Sequence, residues 1–215
     1  MDDIALRQNI LDALEYEPSL DAADIGVTSD NGIVTLTGRV QTYAEKENAE
    51  RIVKRIKGVR GIVQGIDVRI YGAKPTDDDD IARRAANMID WNVSIPSGAV
   101  QVRVIKGWIT LSGKVAWQFQ KSAASDAMRH LDGVIGVSNL IDVMPRATTG
   151  DVKARIEKAL ERDAELEAQA IGVDVSGGKV TLRGKVRTWS ERQAAERAAW
   201  SAKGVTALDD QLSIG

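Results

Sequence analysis

The chain has 215 residues, of which 43% are hydrophobic and 28% charged, with a formal net charge of −2 and no cysteine. The missing cysteine excludes disulfides, thiolate chemistry and the commoner zinc sites, and the nearly balanced charge lacks the basic excess of a general nucleic-acid binder. No run approaches the roughly 20 apolar residues of a membrane-spanning helix, and "MDDIALRQNILDAL" enters a helical pattern at once, leaving no room for an export signal.

In chain order, Leu6, Ile10, Ala13 and Leu14 come first, spaced as one face of an α-helix. Ile25-x-Val27 then alternates with polar or small residues, as a half-buried strand does. The turn "DNG" leads into "GIVTLTGRV", a second strand that turns Val34 and Leu36 inward. Ala49, Ile52, Val53 and Ile56 mark a second helix, which Gly58 is expected to end, and Ile66-x-Val68 closes the unit as a third strand.

The same succession then occurs twice more. "GWITLSGKV" and "GKVTLRGKV" repeat the second strand, with Gly38, Gly113 and Gly184 in register and Gly58-Val59, Gly133-Val134 and Gly204-Val205 following without a gap. Ile81, Ala85, Met88 and Ile89, and then Val152, Ile156, Ala159 and Leu160, repeat the first helical face. Ala124, Ala127, Met128 and Leu131, and then Ala195, Ala198, Ala199 and Ala202, repeat the second. The segments "RIYGAKPTDDD" and "MPRATTG" have the Pro, Gly and polar content of linkers. The expected organisation is three domains, 1–70, 79–144 and 150–215, of α+β class: tandem two-layer αββαβ sandwiches in which two amphipathic helices cover one face of a three-stranded sheet.

The combination of "GxVTLxGxV", an Ala-rich helix and an ending such as "GVIGVSNLIDV", Gly133 to Val143, resembles the BON domain, a bacterial module named after osmotically inducible and nodulation proteins. Asn139 of that ending corresponds to Gln64 in repeat 1 and Asp210 in repeat 3. The resemblance implies a non-catalytic attachment module that binds phospholipid or membrane surfaces, with links to osmotic stress and envelope integrity.

The residues read on their own suggest no catalytic centre and no cofactor. His130 has no recognisable catalytic partner and reads as a surface histidine. Asp67 and Asp142 read as solvated strand-end residues. The run Asp77 to Asp80 lacks the alternating ligands, central Gly and distal Glu of a calcium loop and reads as a linker that caps the next helix; no metal is expected. "GVRGIVQG" precedes a strand and offers a phosphate no helix N-terminus.

Surface chemistry differs among the repeats. Repeat 2, with 7 basic and 5 acidic residues from Asp80 to Val143, alone is net basic, and it holds Trp91, Trp108, Trp117 and the only Phe, Phe119. Strand alternation points Trp108 and Lys114 outward beside Arg103, a pairing of indole and cations suited to an anionic lipid interface or a partner protein; equally, Trp108 covers its own sheet or packs on a neighbouring repeat. Trp200 stands where its siblings are Lys54 and Arg129 and is expected away from the core stripe, available for contact. Arg39, Lys114 and Lys185 follow the register glycines, either as a repeated binding face or as ordinary solvated strand residues.

The expected binding residues are therefore Arg103, Trp108, Lys114, Trp117, Trp200, Arg39 and Lys185, with anionic phospholipid or another protein as partner and no nucleic acid. The alternatives are a small-ligand or ion sensor and a self-associating adaptor. The expected location is the cytoplasm, or the periplasm if an export signal has been removed.

Overall fold

The computed structural model describes residues 2–69, 77–144, 152–162 and 170–214; both linkers lie largely outside these. Repeat 1 consists of α1 (Asp3–Glu15), β1 (Ile25–Asp30), β2 (Ile33–Val40), α2 (Tyr43–Val53) and β3 (Gly61–Val68). Repeat 2 consists of α3 (Asp78–Trp91), β4 (Val100–Ile105), β5 (Trp108–Val115), α4 (Gln118–Met128) and β6 (Gly136–Val143). Repeat 3 consists of α5 (Val152–Arg162), β7 (Ile171–Ser176), β8 (Lys179–Val186), α6 (Trp189–Ser201) and β9 (Ala207–Ile214). Each repeat has its own sheet, with the second strand central, antiparallel to the first and parallel to the third. The expected α+β class and triple αββαβ plan are those of the molecule.

The hairpins explain why each turn ends in Gly. A two-residue turn of the I′ kind needs positive φ at both central residues, because only that twist matches the flanking strands. Asn31 and Gly32 have φ of 51° and 79°, Lys106 and Gly107 have 50° and 75°, and Gly177 and Gly178 have 57° and 85°. The register glycines have a different cause. Gly38, Gly113 and Gly184 have φ of 115°, 131° and 135°, and a Cβ on any of them would overlap the carbonyl oxygen of Asp24, Ala99 or Ala170. The chain entering the first strand presses its backbone against the second strand at this point, which only Gly permits.

Gly58, Gly133 and Gly204 do not end the second helices, contrary to the sequence expectation. The helices stop earlier, at Val53, Met128 and Ser201, and the glycines take positive φ of 97°, 89° and 108° in the turn that delivers the chain to the third strand.

The core of each repeat lies between helices and sheet. Leu6, Ile10, Leu14, Val34, Leu36, Ala49, Val53 and Ile66 are buried in repeat 1; Ile81, Ala85, Ile109, Leu111, Ala124, Met128 and Ile141 in repeat 2; Ile156, Leu160, Val180, Leu182, Ala195, Ala199 and Leu212 in repeat 3. Gln64, Asn139 and Asp210 share one task despite their different chemistry. Each side-chain oxygen accepts the N–H two residues on, from Ile66, Ile141 or Leu212.

The three cores are joined through the second helices. Tyr43, at the start of α2, packs against the core of repeat 2, and Trp189, at the start of α6, packs against the core of repeat 1. The start of α4 faces α6 across a groove. Repeat 1 thus leans on 2, 2 faces 3, and 3 leans on 1, each by the N-terminal end of its second helix.

Candidate functional site

The structure divides the seven sequence-selected residues among two surfaces and two isolated positions. The first surface is the outer face of the repeat 2 sheet, opposite the helices. Ile105 pairs with Trp108 and Arg103 with Thr110 across β4 and β5, while Lys114 pairs with Asp142 across β5 and β6. Ile105, Trp108 and Leu140 are exposed apolar side chains on this face, at 50%, 45% and 64%. Arg103 and Lys114 are exposed, and among the described residues neither has an ion-pair partner.

Trp108 is held in place on this face. Its Nε1 donates to Ser138 Oγ at 2.9 Å, and its ring fills the space that a side chain at Gly136 would take. It covers its own sheet and keeps part of its indole in solvent.

The corresponding faces of the other repeats differ. Repeat 1 exposes Ile33 and Val63 on the face that carries Arg39, four to six residues away along the ladder. Repeat 3 carries charge already spent within the face: Arg183 pairs with Asp174 at 3.1 Å and Lys179 with Asp209 at 3.2 Å. Lys185 is exposed there without an apolar neighbour of the Trp108 kind. Arg39 therefore shares its face with aliphatic side chains but no indole, and Lys185 with neither; among the described residues only the repeat 2 face joins an indole and aliphatic side chains to cations without an ion-pair partner.

The second surface holds Trp117 and Trp200, which both line the groove between α4 and α6, a space of about 980 Å³ also lined by Phe119, Glu196 and Arg197. The rings of Trp117 and Phe119 lie 6.4 Å apart at a 30° tilt. Trp200 does not stand clear of the core as the sequence suggested. It is half-buried and packs against the core of repeat 3, because an indole is wide enough to cover the stripe edge that Lys54 and Arg129 leave to solvent.

Electrostatics in the seams follow from burial and like charge. Burial, reinforced by the nearby Asp210 carboxylate, pushes Glu196 up to about 7, against the opposing pull of Arg192 and Lys54. Arg192 is bonded to Asp210 and lies over the Trp189 ring, 5.1 Å from its centroid. Burial and the Glu47 carboxylate raise the Tyr43 phenol, whose hydroxyl donates to Glu47 Oε1 at 3.1 Å.

One structural device was not legible as such. Asp3 at the start of α1 accepts the N–H groups of Asn31 at 2.7 Å and Gly32 at 3.1 Å, together with Ser29 Oγ at 2.7 Å. These bonds, Ser29 foremost, hold its carboxyl below the usual range. Asp78 does the same for Lys106 at 2.6 Å and Gly107 at 2.8 Å. Of the acidic run, Asp78, the first residue of α3, therefore serves the hairpin turn, Asp80 pairs with Arg83 and Arg84, and Asp77, at the N-cap position, makes no side-chain cap bond. The sequence signal was an acid shared by repeats 1 and 2 at the first helical position, hidden because the aligned residue of repeat 3 in the sequence is Thr149.

His130 is exposed near the end of α4, and among the described residues no group of His, Asp or Glu is arranged to hold a metal ion. Among the same residues no helix is long and apolar enough to cross a membrane.

Comparison with known proteins agrees with the triple plan. The BON domain profile matches three times, over residues 2–70, 77–145 and 148–215. Osmotically-inducible protein Y of Escherichia coli (strain K12) is 30% identical over 148 residues, covering 65% of this chain and 71% of the relative. Among solved structures, CdsD, a structural protein of the type III secretion system of Chlamydia trachomatis, aligns with 98% of this chain and 92% of its own at 14% identity and a TM-score of 0.27, too slight a likeness to carry an inference. With three profile matches spanning nearly its whole length, each on one αββαβ unit, the chain belongs to the BON domain family.

Proposed function

We propose that this is a non-catalytic triple BON-domain protein that binds an anionic phospholipid surface through the outer sheet face of repeat 2, in the response to osmotic or envelope stress. The observation that carries the reading is the combination on one sheet face of the exposed Ile105, Trp108 and Leu140 with the exposed cations Arg103 and Lys114, which have no ion-pair partner among the described residues. An indole with its N–H satisfied and its ring edge in solvent suits the headgroup layer, where one end meets lipid and the other water.

Magnitudes make this a peripheral, reversible attachment. A cation near an anionic membrane contributes about 1 kcal/mol, so Arg103 and Lys114 together shift partitioning by roughly 30-fold. The stress setting is drawn from the similarity to osmotically-inducible protein Y. Periplasmic placement would present the face to the envelope, and cytoplasmic placement to the inner leaflet.

Co-sedimentation with phosphatidylglycerol-containing and with purely phosphatidylcholine vesicles tests the reading. Binding to the former, weakened by Trp108→Ala and by Arg103→Ala with Lys114→Ala more than by Arg39→Ala or Lys185→Ala, is the expected result. Loss of the cations should matter mainly at low salt, because exposed charges are screened within about 8 Å at physiological ionic strength. Failure to bind anionic vesicles at any salt would leave the adaptor or ligand-sensor reading in its place.

A further inference from the structure

The three seams between repeats use the same positions with different residues, and the differences single out one of them. Five residues after each register glycine stand Tyr43, Gln118 and Trp189. Tyr43 plugs the seam between repeats 1 and 2, and Trp189 plugs that between 3 and 1. In repeat 2 the plug is Gln118, and the seam it should close is the 980 Å³ groove.

The residues flanking the missing plug have changed with it. Thr42 and Thr188 are the N-caps of α2 and α6, each accepting the N–H of Glu45 or Glu191, at 3.2 and 3.1 Å. Trp117 occupies this position in α4 and has no acceptor to offer; the cap is left to Gln120 Oε1, which accepts from Ala116 at 3.0 Å and Trp117 at 3.1 Å. A good cap has been replaced by an indole that faces the groove. Phe119 likewise stands where the siblings have Ala44 and Ser190, and Trp200 where they have Lys54 and Arg129. The comparable groove between repeats 1 and 2 is lined by Thr42, Ala44, Lys54 and Arg129, and is polar. Packing of repeats does not require aromatics at these places, since the other seams form without them.

Charge narrows the occupant. Glu196 lines the groove and shares its nearest cation, Arg192 at 3.9 Å, with Asp210. Asp126 is neutralised by Arg129 at 2.9 Å. Once Glu196, whose carboxyl burial and Asp210 raise to about 7, is ionised, two carboxylates drawing on one guanidinium leave negative potential at the groove wall, with Arg197 as the opposing charge at the rim. In the neighbouring seam the chain supplies its own cation to an aromatic face, Arg192 on Trp189; among the described residues Trp117, Phe119 and Trp200 have no such cation above them. Aromatic faces beside a carboxylate attract an organic cation of low charge density, whose weak hydration makes transfer from water inexpensive. We infer that the groove between α4 and α6 is a binding site for a small quaternary ammonium compound, held by Trp117, Phe119 and Trp200 with Glu196 as its counter-charge.

The test follows the five indole N–H resonances, assigned through single Trp→Phe variants, as choline, its neutral isostere 3,3-dimethylbutan-1-ol, or potassium chloride is added to the full chain at matched ionic strength and at a pH about one unit above the Glu196 value of about 7. Choline should shift Trp117 and Trp200 selectively, and the isostere should bind at least about tenfold more weakly. Gln118→Trp, which restores the plug, and Trp117→Thr, which restores the cap of the sibling repeats, should each abolish the choline response while keeping or raising the unfolding midpoint. Glu196→Gln should weaken it and Arg197→Gln strengthen it. No shift with choline, an equal response to the isostere, a response confined to Trp91 and Trp108, or an undiminished response in Gln118→Trp would each overturn the assignment.

Discussion

The indole of Trp108 on β5 occupies the space where a side chain at Gly136 on β6 would stand, and the two residues are direct neighbours in the parallel ladder. Gly136→Ala should therefore force the ring off the sheet. The expected cost is about 1 to 3 kcal/mol, as for an overpacked site, with increased quenching of Trp108 fluorescence by acrylamide. Unchanged stability and quenching would mean that the ring is not seated on the sheet.

The register glycine makes a harsher case. At Gly113 a Cβ would meet the Ala99 carbonyl oxygen, a backbone atom that cannot swing away, and φ of 131° is unfavourable for any other residue. Gly113→Ala should cost about 3 kcal/mol or more, combining backbone strain with overlap, measured by urea unfolding. Gly98 at φ 71° has open space around it, so Gly98→Ala should cost only about 1 kcal/mol.

Leu36, Leu111 and Leu182 are each fully buried at the same position of their sheets. Replacement by Ala should destabilise by about 2 to 5 kcal/mol in each case. A cost below about 1 kcal/mol for any of them would place that residue outside its core.

The seam around Glu196 gives a pH dependence whose sign is fixed by the direction of its shift. The carboxyl is raised to about 7 by burial and by Asp210 on β9, opposed by Arg192 on its own helix and Lys54 at the end of α2. A raised acid binds its proton more tightly in the folded state, so stability is complete below the ordinary Glu value near 4.5 and declines as pH rises from there through about 7. Glu196→Gln should flatten this part of the stability profile and raise the unfolding midpoint at pH 7.5. Asp3, held low by Ser29 and the hairpin N–H groups, acts in the opposite sense: its contribution is present above the ordinary Asp range and lost as pH falls through the lowered value. Asp3→Asn should remove only its own share of the acid-limb loss, since Glu17 and Glu50 are held low as well, and should leave the limb near neutrality unchanged.

Most of the fold was legible because it is written three times. Leu6, Ile81 and Ile156 each lie on the apolar stripe of a first helix, and Val34, Ile109 and Val180 alternate inward on a second strand, so periodicity alone placed helices and strands on one core. The seams were not legible from periodicity. Tyr43 and Trp189 look like exposed residues at helix starts, and only the docking of one repeat on another buries them. For the same reason Trp117 and Trp200 read as unrelated aromatics, though they share a groove. Trp108 was legible as outward-facing, with covering its own sheet among its readings, but the choice between readings was not, since it depends on Gly136 and Ser138 on a strand paired through a crossover.

The proposed membrane attachment places Trp108 within the headgroup layer and leaves Trp91, which is 80% exposed at the end of α3, outside it. The most direct measurement is tryptophan quenching by vesicles whose phosphatidylglycerol carries bromine on the acyl chains, comparing the intact protein with Trp108→Phe and Trp91→Phe. The account predicts quenching that disappears in Trp108→Phe and persists in Trp91→Phe. Quenching that survives in Trp108→Phe, or is absent from the intact protein although it binds the vesicles, would contradict it.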